Sequence, residues 1–149
     1  EDGIRDSSVT GVQTCALPIL GFKISDVKYL LNAHAHSDHV NGLADMKKRT
    51  GATVVAMAED VSVLEDGGVT DFRNDGRKLW EPVKVDKVIK DGEKLTLGGV
   101  TLTARKTAGH TKGCTTYTMM VDDGGKQRQA GSASNRPIQP RSAIGSWWG

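Results

Sequence analysis

The sequence predicts a mixed α/β fold, layered in the α+β manner. Three observations support this. In the first half of the chain, short apolar runs rich in β-branched residues alternate with segments of helical period. In the second half, strand-like runs follow one another, with a hairpin signature among them. The resulting order, β-loop-α-β-α and then several strands, departs from a simple doubly wound sheet.

The elements follow in order. Val27, Tyr29, Leu30 and Leu31 form a short apolar run that reads as a buried strand ending near Asn32. From Val40 to Thr50, Val40, Leu43, Ala44 and Met46 fall close to one helical face, and Gly51 stands where a C-terminal cap glycine is expected. The run ATVVAMA is a second strand. Ala58 to Leu64 can form a short helix, stopped by Asp66-Gly67-Gly68. Residues 69–82 read as a loop around Asp75-Gly76, with Pro82 limiting regular structure. Lys84 to Ile89 alternates apolar and charged residues, as a half-exposed strand does. KLTLGGVTLTA is a hairpin pattern turning at Gly98-Gly99. Cys114 to Val121 is a further strand, closed by Asp123-Gly124-Gly125. No internal repeat of fixed period is present.

The chain has 149 residues, a single-domain length, with 37% hydrophobic and 26% charged residues. A net charge of +2 with interspersed signs gives no electrostatic case for nucleic acid or a membrane surface. No apolar run approaches the roughly 20 residues that span a bilayer. The two cysteines, Cys15 and Cys114, are too few for a disulfide framework and leave the redox compartment open. No secretory signal is visible in the acidic, polar opening EDGIRDSS. Cys114 reads as a small buried strand residue rather than a ligand.

Chemistry concentrates in Asn32-Ala33-His34-Ala35-His36-Ser37-Asp38-His39, directly after the first strand. Three of the chain's four histidines fall within six positions there, together with an aspartate. Imidazoles this dense would repel one another on protonation unless a metal ion holds them. In extended backbone, residues two apart project the same way, so His34 and His36 can grip one ion. Asp38 and His39, being neighbours, suit a second ion beside the first. Imidazole and carboxylate are the ligands zinc takes outside thiolate sites. Two such ions about 3.5–4 Å apart can clamp both sides of a displacement. The fourth histidine, His110, lies in the glycine-flanked loop Gly109-His110-Thr111-Lys112-Gly113. It would complete a three-nitrogen site with a position left for water.

These residues resemble a known family. His34-Ala35-His36-Ser37-Asp38-His39 matches the HxHxDH motif of the metallo-β-lactamase superfamily, and Gly109-His110-Thr111-Lys112-Gly113 resembles that family's second motif. HVNGLADMKKRTGATVVA, AEDVSVLEDGG and GHTKGCTTYTM are similar to the third subclass of class B β-lactamases. The resemblance covers residues 20 to about 125 and implies an αβ/βα sandwich, of which this chain would hold about half. It implies that His34, His36 and His110 bind a first zinc ion, and that Asp38 and His39 bind a second. It further implies that Asp38 orients a zinc-bound hydroxide, the catalytic nucleophile that opens a β-lactam ring. The second site of this subclass takes a later histidine, and none follows His110 here. Thioesterases and lactonases of the superfamily share the motif, and a catalytically inert fragment is a third reading. The implied location is periplasmic or secreted, with a small-molecule substrate and no nucleic-acid partner.

The flanks differ in character. Residues 1–19, and VTGVQTCALPI in particular, resemble a translated sequencing adapter and read as a non-native or disordered leader. Residues 126–149 read as an irregular, frame-shifted tail, with Trp147 and Trp148 exposed on it. Ser132 or Ser134, in GSAS, would be the remnant of the family's serine-bearing substrate loop.

Overall fold

The computed structural model describes residues 21–132. They form two sheets. β1 (Tyr29–Leu31), β2 (Thr53–Met57) and β3 (Lys87–Ile89) make a parallel sheet in that order. β4 (Lys94–Leu97), β5 (Val100–Lys106), β6 (Thr115–Asp123) and β7 (Lys126–Ser132) make an antiparallel sheet, also in chain order. Helices α1 (Ser37–Val40), α2 (Leu43–Thr50) and α3 (Val61–Asp66) connect the parallel strands. This is the layered α+β arrangement the sequence predicts, and it matches part of a two-sheet sandwich.

β2 shows why its sequence is apolar without alternation. Val54 and Ala56 pack with Val40, Ala44, Val63, Leu64 and Trp80 on the helical side. Val55 and Met57 point the other way, onto Ile89, Leu95, Ala104 and Tyr117, between the two sheets. A parallel strand covered on both faces must be apolar at successive positions. The second cluster therefore joins the sheets, and the first holds the helices to the parallel sheet.

Two expectations are refined. The helix expected over Val40–Thr50 is two helices, broken at Asn41-Gly42, with Gly42 at the N-terminal boundary of α2. Glycine is a poor helix interior residue, which favours the break. Gly51 does cap α2, in the left-handed region at φ 66°. The strand expected from Lys84 begins only at Lys87. Asp86 precedes it and doubles the pairing with Val54: its amide donates to the Val54 carbonyl at 3.0 Å, and its carboxylate accepts the Val54 amide at 2.9 Å. Lys47 anchors the same carboxylate from α2 at 2.8 Å.

The largest departure lies after Lys126. The sequence there reads as irregular, yet Lys126–Ser132 pairs with β6 along its whole length, from Asp123↔Lys126 to Tyr117↔Ser132. Gly124 and Gly125 make the turn with φ of 61° and 83°. β7 ends the sheet order and most of its side chains are exposed, so no apolar period marks it. Its Lys, Arg and Gln residues are of the kind that blunt sheet edges.

Candidate metal centre

The HxHxDH segment leaves β1 and enters α1, and its backbone is not simply extended. The His36 amide approaches the His34 carbonyl at 3.2 Å, so the chain bends at Ala35. His36 is extended (φ −125°, ψ 155°) and immediately precedes α1, which carries Asp38 and His39 in its first turn. The two-residue period of an extended strand therefore does not account for how His34 and His36 meet. A bend and a helix start account for it.

The loop carrying His110 connects β5 to β6 and docks onto this segment. The Thr115 amide donates to the Ala33 carbonyl at 2.7 Å. Four imidazoles converge as a result. Ring centroids lie 5.0 Å apart for His34 and His36, and 4.6 Å for His34 and His110. They lie 4.6 Å apart for His36 and His110, and 4.0 Å for His34 and His39. His34, His36 and His110 offer ligand atoms all within 4.8 Å of one another, and so do His34, Asp38 and His39. The His36 Nδ1 and His110 Nε2 atoms are 3.0 Å apart. Two nitrogens on a tetrahedral zinc ion, bound at about 2.0–2.1 Å, stand roughly 3.3 Å apart.

Burial supports a metal role. His34 is 1% exposed, and among the described residues neither of its ring nitrogens has a hydrogen-bond partner. Buried polar atoms are ordinarily satisfied. A buried ring with no hydrogen-bond partner, one of whose nitrogens lies within 4.8 Å of ligand atoms on His36 and His110, suits a cation that the three rings share, so the donor set fits a metal ion. Asp38 and His39 lie further out, at 75% and 43% side-chain exposure, with Asp38 Oδ2 3.3 Å from His39 Nε2.

Burial, followed by the charges of His39, His110 and His36, pushes the His34 imidazole down to about 4. His110 is also lowered, by burial first and then by His36 and Arg73. Both shifts favour the neutral, metal-binding form. The folded pKa of His34 lies below its ordinary 6.5, so between those values the unfolded chain binds more protons. Stability of the metal-free fold is therefore expected to fall as pH drops from about 6.5 towards 4. Thermal melts of chelator-treated protein across that range test this. The slope should shrink in His34→Asn.

Two acidic residues at the site carry no signal in the sequence. Asp60, at the start of α3, is buried and accepts hydrogen bonds from both histidine-bearing segments. Asp71, from the 69–82 loop, places Oδ2 3.2 Å from His36 Nε2, at ion-pair distance but without hydrogen-bond alignment. Its other oxygen accepts the Arg73 amide at 2.7 Å. Cys114 is buried, as the sequence suggests, and its Sγ accepts the Thr111 amide at 3.1 Å. Ser132 is the last residue of β7, opposite Tyr117, and Ser134 lies outside the described residues.

The family model for the metallo-β-lactamase superfamily matches residues 3–123. The chain belongs to the metallo-β-lactamase superfamily. Two of its solved neighbours, BJP-1 of Bradyrhizobium japonicum and LRA-12, are named as class B3 enzymes. Native FEZ-1 metallo-β-lactamase from Legionella gormanii is 45% identical, with a TM-score of 0.78, covering 87% of this chain and 50% of that one. The class B3 di-zinc metallo-β-lactamase LRA-12, from an Alaskan soil metagenome, is 32% identical with a TM-score of 0.75, covering 80% of this chain and 46% of that one. Among curated relatives, a hydroxyacylglutathione hydrolase of Methylococcus capsulatus is 33% identical over 108 residues, covering 72% of this chain and 34% of its own length. The chain thus spans about half of these solved neighbours and about a third of these curated relatives. No helix among the described residues is long and apolar enough to cross a membrane.

Proposed function

We propose that the protein containing this chain is a zinc-dependent hydrolase that opens the β-lactam ring of antibiotics, in the periplasm or outside the cell. The convergence of His34, His36 and His110, with Asp38 and His39 beside them, carries this reading. The identity to FEZ-1, 45% against 33% for the Methylococcus hydroxyacylglutathione hydrolase, favours the β-lactam substrate.

His34, His36 and His110 would hold the first ion, and Asp38 and His39 the second. Bound zinc supplies Lewis acidity, which brings a coordinated water's pKa to about 7 and polarises a carbonyl oxygen. Hydrolysis forms a C–O bond at the ring carbonyl and breaks the C–N bond, and a proton ends on the nitrogen. The Asp38 carboxylate, open to solvent, would accept a hydrogen bond from the attacking water and orient it. The burial of His34 and the bend at Ala35 would hold the imidazoles in place. Ser132 and Ser134 would contact the substrate.

A second reading, a glyoxalase-like thioesterase, is favoured by the hydroxyacylglutathione hydrolases among the curated relatives. Full-length protein supplied with zinc should hydrolyse nitrocefin and a carbapenem, lose that turnover to a chelator and regain it with added zinc. Turnover of a hydroxyacyl-glutathione thioester alone would replace the β-lactam assignment with the second reading.

A further inference from the structure

Asp60 precedes α3 yet makes no side-chain hydrogen bond to that helix. An aspartate at this position ordinarily accepts an amide of the helix's first turn. Here the carboxylate turns away, is 1% exposed, and reaches two other segments. Oδ2 accepts the Ala35 amide at 3.1 Å and the Thr111 hydroxyl at 2.9 Å, and Oδ1 accepts the Gly113 amide at 2.8 Å. Ala35 separates His34 from His36, and Thr111 follows His110. One carboxylate therefore grips both segments that deliver imidazoles to the first metal position. Gly113 permits the approach: a Cβ there would stand 2.5 Å from Asp60 Cγ.

We propose that Asp60 is a positioning residue for the metal centre. It sets the separation between the Ala35 bend and the His110 loop, so that three imidazoles face one point before an ion arrives. The inference rests on the reading of His34, His36 and His110 as metal ligands. Without Asp60 an entering ion must order the His110 loop itself, and that ordering is subtracted from its affinity. Removing outer groups that orient ligands typically weakens metal binding by about 10–100-fold. The buried anion also favours a dication nearby, since interior charges are weakly screened.

Asp60→Asn is the informative variant. The amide keeps the carboxylate's shape but has one acceptor oxygen, so its NH2 opposes the amide of either Ala35 or Gly113. Zn²⁺ affinity of the purified chain would be measured by competition with a chromogenic chelator. Urea melts of the metal-free protein and the Co²⁺ absorption spectrum would be recorded alongside. Asp60→Asn is expected to fold cooperatively, bind Zn²⁺ about 10–100-fold more weakly and show altered Co²⁺ bands. Gly113→Ala, which pushes a methyl against Asp60, should shift affinity in the same direction. Thr111→Val removes one hydrogen bond to the same carboxylate and should weaken binding several-fold. Wild-type Zn²⁺ affinity and Co²⁺ spectrum in Asp60→Asn, with only stability lowered, would reduce Asp60 to a fold staple and overturn the proposal. If Asp60→Asn does not fold, unchanged affinity in Thr111→Val overturns it equally. A wild-type chain that binds no Zn²⁺ overturns both this inference and the metal-centre reading. Failure in the variants alone leaves the metal centre standing.

Discussion

His34→Ala is expected to cause the largest functional loss in this chain. His34 is the ring common to both candidate ligand groups and the most deeply buried of the histidines. Structural zinc sites bind with roughly 10–16 kcal/mol shared over four ligands, or about 3 kcal/mol per ligand, so losing one should weaken the first ion by at least about 10²-fold. Turnover at limiting zinc should fall at least as far, because the residual site no longer fixes the ion's geometry. Isothermal titration with Zn²⁺ and steady-state assays of the full-length protein read both quantities. Since burial and the neighbouring imidazoles already disfavour a charge on His34, its removal should leave the metal-free fold intact or more stable at mildly acidic pH. Zn²⁺ binding by His34→Ala at the wild-type level would remove this ring from the centre.

The second large effect concerns stability. Leu64 is fully buried in the cluster that joins α3 to β2, beside Val54, Ala56 and Trp80. Its carbonyl also accepts the Val83 amide at 3.0 Å, fastening the end of the 69–82 loop. Leu64→Ala should cost about 2–5 kcal/mol through lost transfer energy and the cavity left behind. For a domain of this size that lowers Tm on the order of 10 °C. Leu97→Ala, at a position 50% exposed beside the hairpin turn, should stay within about 0.5 kcal/mol of wild type. Urea denaturation of both variants measures the contrast. Near-equal losses would mean that the helical-side cluster is not the main core.

Much of the fold is legible locally because one period is enough to specify it. The hairpin from Lys94 to Lys106 carries its own alternation and turn glycines. Gly51 and Gly67 end α2 and α3 in the left-handed conformation, as their places in the sequence suggest. Other features depend on distant partners. β7 has no apolar rhythm, since it is largely exposed, and its strand character comes from its ladder with β6. The one helix expected over Val40–Thr50 splits because Gly42 stands between apolar positions that otherwise share a face.

The candidate site divides in the same way. The sequence by itself determined the candidate donors: His34, His36, Asp38, His39 and His110 have side chains of the types that bind zinc, and four of them are close along the chain. Only the tertiary structure decided that His110 closes on that cluster, that the backbone bends at Ala35, and that Asp60 and Asp71 support the arrangement. An aspartate before a helix reads as a cap, and one in a polar loop reads as a solvated charge. Ligand identity is a property of side-chain type. Ligand geometry depends on where two segments over 70 residues apart come to rest, and buried hydrogen bonds that no local pattern encodes fix that distance.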